Sequence, residues 1–305
     1  MHATVETVRR LRFDDGTPVR AASALAPLGD GWLIAQDDAT HAAWRLGDTL
    51  VPVRVIPAVD GHEVFSEAEG TKHLKPDFEA ACEMAVDGEP GVLLLGSGSS
   101  PRRMRASLVR LEDGHPTFEV ADLSPLYARV VEVLGIRPDQ LNLEGACRSG
   151  EVMRWFNRGN LVGGVPSASV DVNFRALVAA VTGTGRVEAV SVADRRTYDI
   201  GEADGVGLAI TDAMALPDGR VLVSAAAEDT PNAVDDGPVV AAALALLDDT
   251  SVQGVAQLPE VDCEVEKVEG LALREVTDDG VVVTAVVDAD DPDAPSRELV
   301  VRVVW

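Results

Sequence analysis

Cysteine is scarce in this chain: Cys82, Cys147 and Cys263 are the only three in 305 residues. They cannot all pair with one another, so a disulfide-stapled secreted module is not expected. Basic residues are also few, 26 against 51 acids, which gives a formal charge of −25. Such a surface repels nucleic acid, whose affinity for proteins comes largely from lysine and arginine neutralising phosphates. Anionic membranes are disfavoured for the same reason. The five histidines (His2, His41, His62, His73, His115) show no zinc-ligand spacing. Apolar runs such as residues 239–247 fall far short of the roughly 20 residues needed to span a bilayer. The opening MHATVETVRRLRF has no unbroken apolar stretch behind its charges and does not read as a signal peptide. A soluble, cytoplasmic protein is expected, and at 46% hydrophobic residues it has enough apolar material for a sizeable core.

What the chain does have is a repeat. Five segments read as an acidic or hydroxyl residue, a small residue, an apolar residue and another small one: Ser23-Ala-Leu-Ala, Glu79-Ala-Ala-Cys, Glu144-Gly-Ala-Cys, Asp212-Ala-Met-Ala and Glu269-Gly-Leu-Ala. Their intervals are 56, 65, 68 and 57 residues, and the interval through the two ends is 59. A turn and a β-rich run follow each: GDGWLIAQ, GEPGVLLLGS, SGEVMRWF, PDGRVLVSA and DDGVVVTAVV. Asp-Gly between apolar runs marks a hairpin, because glycine accepts positive φ at little cost. Third strands are read at HAAWRL, ASLVRL, VVAAALALL and ELVVRVVW, and fourth strands at VPVRVIP, TFEVADL, VEAVSVA and VQGVAQL. Helix is confined to residues 125–134 and 174–181.

Four strands per repeat around an axis describe an all-β, five-bladed β-propeller. A single domain over residues 1–305 is expected, with blades near 18–60, 73–125, 140–200, 205–260 and 265–305. The last repeat runs out after three strands, while the strand near residues 4–13 is left over. Pairing the two closes the ring. A β-sandwich or two stacked β domains would not predict that match. The acidic stretches 228–237 and 288–296 read as exposed loops.

First strands line the channel of a propeller, so the repeated column gathers Ser23, Glu79, Glu144, Asp212 and Glu269 on one axis. The residues one and three places later are all small, which assigns Cys82 and Cys147 to close packing. Four carboxylates in a narrow channel raise one another's pKa. Protonation, pairing with arginine or lysine, or a bound cation would relieve them. An oxygen-only donor set favours Ca2+, which takes about 6–8 oxygen ligands in forgiving geometry. The plainer alternative is that these acids cap turns or bind lysines at blade edges.

The run Glu144-Gly-Ala-Cys followed by Arg154-Trp-Phe and Arg158 resembles the calcium-activated nucleotidase (apyrase) family. Ser23-Ala-Leu leading to Gln36-Asp37-Asp38 is similar to that family's first blade, 75–79 to its second inner strand and Lys267-Val-Glu-Gly to its last. The likeness is thin but runs from about residue 18 to 273. It implies a five-bladed propeller with calcium in the channel, faced by Ser23, Glu79, Glu144, Asp212 and Glu269. The family carries serine where Asp212 falls. The hydroxyl-rich segment that the family has after the second blade's second strand is replaced by Gly96-Ser-Gly-Ser-Ser-Pro-Arg-Arg. The Glu-Gly-Leu-Ala motif also resembles the esterase-like phytase and SdiA-regulated propellers, so it marks fold and metal more firmly than substrate.

Basic residues near the loops that leave the inner strands stand out: Lys72, Lys75, Arg102, Arg103, Arg154 and Arg158. Arginine's planar fork suits phosphate and carboxylate groups. This assigns Lys75, Arg102, Arg103 and Arg154 to binding a small anionic ligand, and Asp37, Asp38 and Arg158 to catalysis, with either aspartate activating a water. A calcium-dependent hydrolase of small phosphate esters or anhydrides is the leading functional expectation. The alternative is a non-catalytic, calcium-stabilised propeller that binds a ligand or protein. A glycosidase is compatible with the ring of acids, but aromatics at 4% leave few platforms for sugar rings.

Overall fold

The structure, a computed structural model, describes residues 1–86, 88–230, 237–288 and 294–305. Five antiparallel sheets carry the chain. Blade I pairs Ala22–Leu28, Gly31–Gln36, His41–Leu46 and Thr49–Arg54 in that order. Blade II pairs Phe78–Val86, Glu89–Gly96, Arg105–Glu112 and His115–Asp122, and blade III pairs Leu143–Ser149, Val152–Asn157, Ser167–Asn173 and Val192–Tyr198. Blade IV pairs Val206–Ala215, Val221–Glu228, Val239–Asp248 and Ser251–Gln257, with the two-residue strand Glu202–Ala203 added on its inner edge. Blade V pairs Val268–Thr277, Gly280–Val287 and Arg297–Val304, and His2–Arg10 supplies its outermost strand. Each first strand touches the first strands of both neighbouring blades, and blade V touches blade I, so the five form a closed ring.

The expected five-bladed propeller is therefore the observed fold, and its ring closes through the N-terminal strand. His2 to Arg10 run antiparallel to Val304 to Arg297. Ser296 latches the junction. Its N–H donates to Val19 O at 2.8 Å, its carbonyl accepts from Leu11 N at 2.8 Å, and its hydroxyl accepts from Ala22 N at 3.1 Å.

Local chemistry accounts for the strand pattern. At Pro217-Asp218-Gly219 the glycine takes φ +90° and Asp218 Oδ1 accepts from Arg220 N, which turns the chain back into the second strand, Val221–Glu228. Blades meet through small residues. A Cβ on Gly145 would lie 2.9 Å from Ala213 N, and one on Gly270 would lie 2.9 Å from Leu25 N. Between blades II and III, Ala80, Cys82 and Leu93 pack with Ala146, Met153 and Trp155. Tyr127 completes that layer, edge-on to Trp155 at 5.0 Å, with its hydroxyl on Gly96 O. Tyr127 belongs to helix α1 (Ser124–Leu134), and a second helix, α2, spans Phe174–Val181.

Blade III departs from the expected strand reading. Its third strand, Ser167–Asn173, follows a loop and lacks the long apolar run that marked the other third strands. Its fourth begins at Val192, because Val187–Ala189 winds into a 3-10 turn instead of extending. The acidic stretches 228–237 and 288–296 lie largely outside the described residues.

Candidate functional site

In every blade the pairing of first and second strands slips by one residue at the same level. The ladder jumps from Ala22 to Ala24, Phe78 to Ala80, Leu143 to Gly145, Ile210 to Asp212 and Val268 to Gly270. Each jump is a β-bulge, a device that re-aims one side chain. The bulged residues are Ser23, Glu79, Glu144, Thr211 and Glu269. The fourth member of the column is thus Thr211, and Asp212 stands one residue further along.

Hydrogen bonding supports that alignment. Ser23 Oγ donates to Phe78 O at 2.6 Å, and Thr211 Oγ1 donates to Val268 O at 2.6 Å. Both carbonyls belong to the residue just before the bulged glutamate of the next blade. Asp212 instead accepts from Leu271 N at 2.6 Å, where the other blades have alanine or glycine. Burial, followed by the charges of Glu269 and Glu144, holds its carboxyl well above the usual carboxylate range.

The column residues sit in a buried network of acids and bases at the end where the inner strands begin. On one side, carboxylate oxygens of Asp37, Asp77 and Glu79 lie within 4.8 Å of one another. The Lys75 ammonium contacts Asp37 and lies 2.7 Å from Asp77. Asp77, in the left-handed region at φ +57°, also meets Arg103 at 2.9 Å and the Ser97 hydroxyl. Although burial opposes it, the charges of Lys75 and Arg103 hold Asp77 below the usual range. Burial, then Asp77 and Asp37, lifts Glu79 well above it. Asp38 lies 3.6 Å from Arg20, and burial and then the neighbouring Asp37 push it up to about 6.

On the other side an ionic chain crosses three blades. Glu144 Oε1 accepts from Asn142 Nδ2 at 2.6 Å and from Arg158 at 3.1 Å. Arg158 also binds Glu228, Glu228 meets Lys267 at 3.4 Å, and Lys267 meets Glu269 at 3.0 Å. Burial pushes Glu144 up to about 7, opposed by Arg158 and reinforced by Glu269. Its Oε2 is buried and has no hydrogen-bond partner. Eight carboxylates thus share this end with five cations (Arg20, Lys75, Arg103, Arg158 and Lys267), so the acids that pairing leaves over, Glu79 and Asp212 among them, are protonated or need a further cation.

Residues 71–292 match the family described as "Family of unknown function (DUF6910)". The chain belongs to this family. Solved structures to which the DUF6910 chain is similar include a mannose phosphorylase from Leishmania mexicana with phosphate ion. It is 13% identical with a TM-score of 0.48, over 97% of this chain and 88% of that one. The PQQ-bound aldose sugar dehydrogenase from Streptomyces coelicolor is 11% identical with a TM-score of 0.42, over 98% of each chain. A luciferin-regenerating enzyme is 11% identical with a TM-score of 0.40, over 95% of this chain and 79% of that one. No curated protein matches the sequence.

Several residues singled out from the sequence meet in this DUF6910 site: Ser23, Asp37, Asp38, Lys75, Glu79, Arg103, Glu144, Arg158 and Glu269. Arg102 stays half-exposed at the rim, 3.7 Å from Asp60. Arg154 is not brought there. It is tied to Asp171 and Asp249, each at 3.2 Å, and shares both with Arg196. Asp249 belongs to the hairpin between the third and fourth strands of blade IV, which places Arg154 towards the opposite face. Sequence reasoning missed Arg20, Asp77 and Asn142, read Glu228 as part of an exposed loop although it is buried at the end of its strand, and quoted Lys267 without giving it a role. One signal was available, since Asp77, Asn142 and Lys267 each lie two residues before the bulged glutamate of their blade.

Proposed function

We propose that this propeller holds a divalent cation, calcium, at the acidic end of its axis. The observation that carries the reading is the convergence of Asp37 from blade I with Asp77 and Glu79 from blade II, oxygens within 4.8 Å. Such a donor set is hard and oxygen-only, without histidine or thiolate, which suits calcium over zinc. Lys75 already bridges Asp37 and Asp77, so it fixes two of the three carboxylates in place. Glu144, on the neighbouring inner strand of blade III, has one buried oxygen without a hydrogen-bond partner.

Every buried base at this end is matched to at least one carboxylate, so on its own the site offers little to an anion. A divalent cation there supplies positive charge and polarises an oxygen of a bound ligand. Binding of a small anionic ligand is therefore expected to depend on the cation. Calorimetric titration tests the cation reading. Wild type is expected to take up one calcium, with at least tenfold weaker binding in Glu79→Gln. A flat wild-type titration overturns it.

Asp38 favours a hydrolytic second reading. With a pKa raised to about 6 and one buried oxygen free of hydrogen bonds, it is suited to take a proton from water beside Asp37. Turnover of phosphate esters that Asp38→Asn abolishes, with calcium binding intact, supports a hydrolase. Calcium binding without turnover on any ester leaves a calcium-stabilised binding propeller.

A further inference from the structure

Lys75 stands inside the acidic cluster at the charged end. Its ammonium contacts Asp37 and lies 2.7 Å from Asp77 Oδ1, and both carboxylates belong to the proposed cation site. Burial opposes its charge, but Asp37, then Asp77 and Glu79, hold it protonated well above the usual lysine range. A calcium ion sits about 2.3–2.6 Å from its oxygen ligands, so an ion on Asp77 Oδ1 falls within about 5 Å of that ammonium. At such a separation the two cations repel strongly even at the effective dielectric near a protein surface. They cannot both hold the same carboxylates.

Lys75 is not the only tie on these acids. Asp77 N donates to Asp37 O at 3.2 Å, Asp37 N to Ala21 O at 3.0 Å and Ser97 N to Asp77 O at 3.0 Å. Arg103 and the Ser97 hydroxyl hold the other oxygen of Asp77. Lys75 itself lies outside the strands, at the end of the 3-10 turn Lys72–Leu74, and 13% of its side chain is exposed. The ammonium therefore has a way out to solvent, and its departure leaves the carboxylates in place.

We infer that Lys75 is a tethered counter-cation that a divalent ion displaces, and that it sets both the affinity of the site and its preference for divalent over monovalent cations. The inference rests on the cation reading of the acidic end. Exchanging the ammonium for sodium replaces one positive charge by another and gives up a covalent tether. Exchanging it for calcium adds a charge among three carboxylates. Removing the lysine charge therefore strengthens calcium binding, the opposite of what losing a merely structural tie does.

Calorimetric titration of metal-stripped protein with calcium at pH 8 tests this on wild type and on Lys75→Gln, which removes the charge and keeps a donor. Lys75→Gln is expected to bind calcium at least tenfold more tightly than wild type, and Lys75→Arg no more tightly. A second measurement needs no variant. Amine acetylation of wild type, read by mass spectrometry against the exposed Lys72, is expected to label Lys75 faster with calcium but not with sodium at the same ionic strength. Calcium binding in wild type with Lys75→Gln no tighter overturns the inference and leaves the cation reading standing. So does Lys75 labelling that calcium leaves unchanged, or that sodium raises equally. A flat wild-type titration with clear binding in Lys75→Gln does the reverse, and two flat titrations overturn both.

Discussion

At one end of the axis the inner strands begin among Asp77, Asn142 and Lys267; at the other they finish in Leu273, Met84 and Met214. A few residues of strand separate a buried ionic network from an open mouth where Met84 and Met214 are packed between blades. The bulge is what divides them, because it turns Glu79, Glu144 and Glu269 into the charged end while the next residues pack blade on blade. The charged end is held by ties that cross blades, such as Arg158 to Glu228 and Thr211 to Val268. The apolar end is shaped by side-chain size. The first kind of structure is intolerant of losing one partner, while the second tolerates trimming at the expense of a cavity.

Comparable lesions at the two ends should break that symmetry most clearly. Arg158→Leu leaves Glu144 and Glu228 buried without their guanidinium and is expected to cost about 3–5 kcal/mol, read by denaturant unfolding. Met214→Ala, in the core between blades IV and V, is expected to cost about 2 kcal/mol. If the two variants unfold at the same denaturant concentration, the contrast between the ends is wrong.

Buried acids, several of them at the charged end, set much of the pH dependence of stability. Glu144 at about 7 and Asp38 at about 6 sit above their ordinary values of 4.5 and 3.8. The folded protein therefore holds more protons than the unfolded chain between about pH 5 and 7. Raising the pH through that window removes the associated stability. Without calcium, the melting temperature is expected to fall from pH 5 to pH 8. Asp77 and Glu228, held low by their bases, contribute stability that is lost only at more acidic pH.

A smaller effect sharpens the register of the column. Thr211→Val strands the Val268 carbonyl and is expected to cost about 1–2 kcal/mol. Asp212→Asn keeps an acceptor for Leu271 N and removes a carboxyl whose charge is disfavoured, so at pH 8 it is expected to be neutral or stabilising. The reverse ranking, measured by thermal unfolding at pH 8, would restore Asp212 to the column. Arg102→Ala, at the exposed rim, is expected to change stability by no more than about 0.5 kcal/mol.

The five-fold repetition was readable because hairpin glycines and small residues recur at nearly even intervals, and because a spare strand at one end matched a gap at the other. Most of the acidic column was readable for the same reason. Blade IV was misread by one place. Thr211 and Asp212 are adjacent oxygen donors, and only the strand pairing shows which of them bulges. Asp77 and Glu228 were hidden because their roles come from contacts distant in sequence, 20 residues away at Ser97 in the same blade and 70 residues away at Arg158 in the neighbouring one. Arg154 was placed at the mouth because it lies only four residues from Arg158. Those four residues run the length of the second strand, enough to carry it towards the opposite face.

The central claim is that the carboxylate surplus at the charged end gathers a divalent cation. The most direct test is thermal unfolding of metal-stripped protein at pH 5 and pH 8, with and without millimolar calcium. Calcium that binds only the native state raises the melting temperature. The rise is expected to be larger at pH 8, where protons compete less for Glu144, and smaller in Glu79→Gln. Identical melting temperatures with and without calcium at both pH values would contradict the account.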